Sequence, residues 1–182
     1  MSDHGFARVD AQLNLLSAFR AAGLVTVDGK GHVMDGKAFP WAQGGSAAVV
    51  LKDTSDATTK GAVRDLLDAL AREPGNGINR ILDADALHQR GGFPTASFLV
   101  ALRPGWRTGA GVTGPVLSAA KPSGAHGHLP EAPGLRASFF LVGAGVPAGH
   151  SLGVIDMRDI APTLARRLGV ALPAADGRVL LP

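Results

Sequence analysis

Two short segments carry residue types that hold metal ions or move protons: Asp3-His4-Gly5, and Gly124-Ala125-His126-Gly127-His128. A carboxylate beside an imidazole offers a hard oxygen and a borderline nitrogen, a pair zinc accepts readily. Neighbouring side chains on a regular strand point to opposite faces, so Asp3 and His4 reach one ion only where the strand ends or bends. Gly5 makes that bend cheap. His126 and His128 are two apart, and on an extended segment they face the same side. Two imidazoles so placed share a metal, or one binds while the other contacts substrate. A flexible, exposed Gly/His loop is the alternative reading of the same residues.

Other chemistries find less support. His32, His88 and His150 fall in loops or exposed positions and read as structural or solvated. No Gly-x-Ser-x-Gly elbow occurs; Gly44-Gly45-Ser46 is superficially like one, but its strand follows instead of preceding. No glycine loop ends in Gly-Lys-Ser/Thr to cradle a phosphate. Thr163, behind Pro162, suits packing or capping, and Asp159 suits a helix's first turn without any chemistry. The chain has no cysteine, so a metal here is held by His and carboxylates, and disulfides are excluded.

These segments need a fold to position them, and 182 residues suit one domain with a substantial core. With 46% hydrophobic and 18% charged residues the chain is globular rather than disordered. The formal charge is +3 and the 18 basic residues are dispersed, so no nucleic-acid groove is expected. No apolar stretch is long enough to cross a bilayer, and the N-terminus shows neither n-region nor h-region of a signal peptide. The compartment stays open: periplasmic or secreted if a signal precedes this segment, otherwise cytoplasmic.

Periodicity predicts a helix over 9–22, ended by Gly23, then a strand over 24–27 and a turn at Asp28-Gly29 leading into residues 32–40. Ser46–Lys52 reads as a buried strand, and 57–72 as a helix capped by Asp53 or Ser55 and broken by Pro74-Gly75-Asn76-Gly77. A strand over 78–82, a short helix over 83–89 and a strand over 97–103 follow. Residues 105–120 read as a Gly-rich hairpin or extended loop, 123–129 as a loop, and Ala137–Val142 as a buried strand. The last helix spans 159–168, with Asp159 as cap and Gly169 as stop. Alternating strands and helices predict an α/β domain with strands sandwiched by helices.

The order and context of these pieces resemble the C-terminal half of the nucleotide pyrophosphatase/phosphodiesterase branch of the alkaline phosphatase superfamily. Ser2-Asp-His-Gly-Phe6 is similar to that family's Ser-Asp-His-Gly-Met segment, and Asn14–Leu24 to the helix following it in bacterial members. Gly44–Leu51, Gly77–Leu82, Gly124–Pro130, Ala137–Val146 and Asp159–Leu164 continue the resemblance, as do Leu168–Pro173 and Asp176-Gly177. It implies a three-layer α/β/α sandwich of the alkaline phosphatase type, residues 1–182 forming a single partial domain. It further implies a zinc-dependent phosphodiester or pyrophosphate hydrolase acting on small nucleotide-like substrates with two zinc ions. Asp3 and His4 would serve one zinc and His126 the other. His128 falls where relatives often carry a different residue, and borders the substrate at most. The family's nucleophile, first metal aspartate and Asp-x-x-x-His ligands all lie upstream of the Asp-His-Gly segment. Three matched ligands therefore remain, split between two ions, and an N-terminal half would be the missing partner. The alternative is a non-catalytic α/β module that binds a partner or an anion through the same loops.

Overall fold

The computed structural model describes residues 1–181, which are mixed α/β and fall into two compact units, Met1–Ser138 and Phe139–Pro182. Among the described residues, no helix is long and apolar enough to cross a membrane.

The first unit starts with strand β1 (Ala7–Leu13), helix α1 (Leu15–Ala21), and strands β2 (Val25–Val27), β3 (Val33–Gly36), β4 (Ala38–Ala42) and β5 (Ser46–Leu51). Helix α2 (Ala57–Arg72), β6 (Ile78–Asp83), α3 (Ala84–Gln89), β7 (Phe98–Leu102), β8 (Gly105–Thr108) and β9 (Leu117–Ala125) follow. The larger sheet has the order β4-β5-β7-β6 with every neighbouring pair antiparallel. A second sheet, β8-β1-β9, pairs β1 parallel to β8 and antiparallel to β9, while β2 and β3 form a hairpin.

Period-2 alternation divides the larger sheet's side chains between two apolar layers. Val49, Leu51, Phe98, Val100 and Leu102 join Leu13, Phe19, Val63 and Leu67, so β1, α1 and α2 all seal one face. Ala48, Leu99 and Ala101 pack with Leu87 of α3 and with Leu129 on the other. Ile78 and Leu82 share parity yet face opposite layers, because the ladder slips between Ile78 and Arg80. Each large aliphatic or aromatic side chain buried this way contributes about 1.5–3 kcal/mol of transfer free energy.

Several expected elements differ in the structure. The helix expected over 9–22 begins only at Leu15, and residues 7–13 are a strand. Ala-Arg-Val-Asp-Ala-Gln-Leu alternates strictly apolar and polar, and partners on both sides satisfy its backbone. Gly23 does stop α1: at φ +69° it lets Leu24 N–H donate to the Phe19 carbonyl. Helix α2 keeps its predicted span, but its cap is Asp56, whose carboxylate accepts from the Thr59 amide, rather than Asp53 or Ser55. Residues 105–120 are not a hairpin, since β8 and β9 lie on opposite sides of β1. The predicted loop over 123–129 starts late, because β9 runs to Ala125.

In the second unit, a 3-10 turn (Met157–Asp159) leads into α4 (Ile160–Arg167), stopped by Gly169 at φ +67°. Asp159 does not cap this helix with its side chain; its carboxylate accepts from the Arg178 amide instead. Thr163, fully buried, donates to the Asp159 carbonyl and accepts from the Leu180 amide, holding the C-terminal segment on α4. The buried strand expected at Ala137–Val142 is absent, and Phe140 and Val142 are 80% and 94% exposed. A β-prone sequence becomes a strand only when another strand takes up its amides and carbonyls. The amide of Ser138 goes to the Ser2 hydroxyl instead.

Candidate metal centre

Asp3-His4 and His126, distant in sequence, meet in the first unit through the ring of His4 on that of His126. The chain leading into β1 is held by residues 134–138. Ser2 N–H donates to the Ser138 carbonyl, and Gly5 N–H to the Leu135 carbonyl, both at 2.9 Å. Gly5 has no room for a side chain, since a Cβ there would stand 2.1 Å from the Gly134 carbonyl oxygen. Close approach, rather than the expected bend, is what calls for glycine at position 5, and the backbone bends at Asp3 instead.

His126 follows β9 directly and rests on Gln43-Gly44-Gly45. Gly45 N–H donates to the His126 carbonyl at 2.7 Å. A Cβ on Gly44 would meet that carbonyl oxygen at 2.4 Å, and one on Gly127 would meet the Gln43 carbonyl oxygen at 1.9 Å. Two backbone segments thus approach as only glycine permits. Gly44-Gly45 is legible in sequence as a glycine pair before a strand, but its role of seating His126 is not.

The imidazoles of His4 and His126 stack with centroids 4.1 Å apart and planes within 4° of parallel. His4 Nδ1 lies 2.9 Å from the Gly5 carbonyl, so Nδ1 carries the proton and donates. In the neutral ring the lone pair then sits on Nε2, as in histidines whose other nitrogen is fixed by a backbone carbonyl. Nε2 stands 3.6 Å from Asp3 Oδ2, and the other Asp3 oxygen accepts from the His4 amide at 3.1 Å.

Two ligands about 2.0–2.2 Å from a tetrahedral zinc stand roughly 3.3–3.6 Å from each other. The Asp3–His4 separation fits such a pair. A bound ion lies near the plane of its imidazole, and two stacked, parallel rings share no plane. His4 and His126 are therefore suited to neighbouring ions rather than to one ion between them. The set remains open: among the described residues, no three His, Cys, Asp or Glu side chains converge to hold a metal ion. The residues fit zinc as a two-donor half-site beside a lone imidazole.

His128 does not face the same side as His126. Gly127, at φ +82°, breaks the extended backbone that the expectation assumed, leaving His126 exposed and His128 buried. The His128 ring packs on Gly45, where a Cβ would stand 2.2 Å from it, and its Nε2–H donates to the Trp106 carbonyl at 2.9 Å. Its Nδ1 is buried without a hydrogen-bond partner. His32, His88 and His150 are exposed.

Compared with protein-family models, curated proteins and solved structures, the chain matches none.

Proposed function

We infer that this chain supplies part of the site of a zinc-dependent phosphodiester or pyrophosphate hydrolase acting on nucleotide-like substrates. The carrying observation is the stack of His4 on His126, which unites the two metal-type motifs at 4.1 Å across 121 intervening residues. Asp3 and His4 hold one zinc and His126 a second, with the Gly5 carbonyl fixing the His4 tautomer. Bound zinc ions neutralise phosphoryl charge and activate the attacking group. The nucleophile and remaining ligands come from an N-terminal half, completing a three-layer sandwich of the alkaline phosphatase type. That architecture and the substrate class rest on the motif resemblance alone.

Zinc retention tests this reading. After equilibrium dialysis and desalting, metal analysis should find zinc on the chain co-expressed with the N-terminal half, reduced in Asp3→Asn, His4→Ala and His126→Ala. A folded chain that retains no zinc either alone or with the N-terminal half co-expressed, or that retains it unchanged in all three variants, overturns it. A second reading, a non-catalytic α/β module indifferent to zinc, is favoured by the lack of three converging donors among the described residues.

A further inference from the structure

Phe6 lies two residues beyond His4 and is 62% exposed. Its ring centroid is 5.2 Å from that of His4 and 5.6 Å from that of His126, at 72° and 75° to their planes. A ring beyond one end of a stack spaced at 4.1 Å would differ in its two distances by nearly that spacing. Near-equality sets Phe6 beside the stack, flanking both imidazoles at once.

The strand register holds it there. Ala7 pairs with Ala125, and continuing that antiparallel register by one residue brings Phe6 across from His126. Gly124 leaves room, since a Cβ there would stand 3.3 Å from the Phe6 ring. The result is an apolar wall along one flank of two metal-type side chains, half-buried His4 and exposed His126.

The geometry points to Phe6 as the specificity-determining residue of this centre. Its exposed ring receives the flat, apolar group of a phosphoryl compound bound at this centre. The site therefore prefers aryl over small alkyl phosphoryl groups. This inference rests on the phosphoryl reading of the site. An aromatic pair adds roughly two- to tenfold in affinity, which a methyl group cannot collect.

The test compares phenylphosphonate with methylphosphonate, which carry the same anion, on the full chain in excess zinc. Dissociation constants are read from shifts of the His4 and His126 ring protons. Phenylphosphonate should bind about two- to tenfold tighter. Phe6→Ala should abolish the preference by weakening phenylphosphonate alone, and Phe6→Leu, which keeps apolar bulk, should abolish most of it. Methylphosphonate binding with no aryl preference, or a preference unchanged in Phe6→Ala, overturns the role of Phe6 alone. Failure of both phosphonates to bind overturns the phosphoryl reading as well.

Discussion

Replacing Gly127 with alanine should both destabilise the first unit and displace His126. At φ +82° an L-residue costs roughly 1–2 kcal/mol against glycine. The new Cβ would stand 1.9 Å from the Gln43 carbonyl oxygen, so the two backbone segments must part. Parting them stretches the 2.7 Å bond from Gly45 N–H to the His126 carbonyl, worth about 0.5–1.5 kcal/mol. The sum is about 1.5–3.5 kcal/mol, or a fall in Tm of roughly 3–14 °C for a chain this size. Urea unfolding followed by tryptophan fluorescence measures it, because half-buried Trp106 belongs to the same core. Gly29→Ala is the control: no atom lies within 4 Å of its Cβ position, so the change should stay within about 0.5 kcal/mol. A loss below about 0.5 kcal/mol for Gly127→Ala would refute the glycine seat described for His126.

Gly61→Ala should act in the opposite direction, since Gly61 sits inside α2 with open space around it; chemical denaturation should show a gain of about 0.5–1 kcal/mol. Phe19→Ala should cost about 3–5 kcal/mol in the same assay, because the ring is fully buried at the join of α1 with the larger sheet. Asp156 is held down to about 2, below its usual 3.8, by the Arg158 guanidinium and then by the Arg158 amide. A depressed carboxylate stabilises fully above its unfolded pKa, and that stabilisation disappears as pH falls from about 4 towards 2. Asp156→Asn should therefore flatten part of the decline in melting temperature across that interval, seen by circular dichroism.

Elements whose sequence pattern is settled locally were legible without the structure. The α2 span follows from Val63 and Leu67 at helical spacing, and Gly23 and Gly169 mark helix ends where left-handed backbone is needed. β5 and β7 follow from short apolar runs. Elements that depend on distant partners were not legible. Val9 and Leu13 suit a helix face as well as a strand, and pairing with β8 and β9 decides for the strand. Ala137–Val142 has strand composition, yet no strand forms there. The candidate centre divides in the same way. Residue types named Asp3, His4 and His126, but their meeting depends on the register of β1 on β9. The burial of His128 depends on one positive φ at Gly127, and the position of Phe6 on the same register.

Hydrolysis of bis-p-nitrophenyl phosphate with zinc present, by this chain alone and with a co-expressed N-terminal half, decides whether the chain is part of a zinc phosphodiesterase. Activity is expected only in the reconstituted pair, lost on removing zinc and in His126→Ala. A stably folded chain that binds no zinc and stays inactive in both formats would contradict it, leaving a binding module.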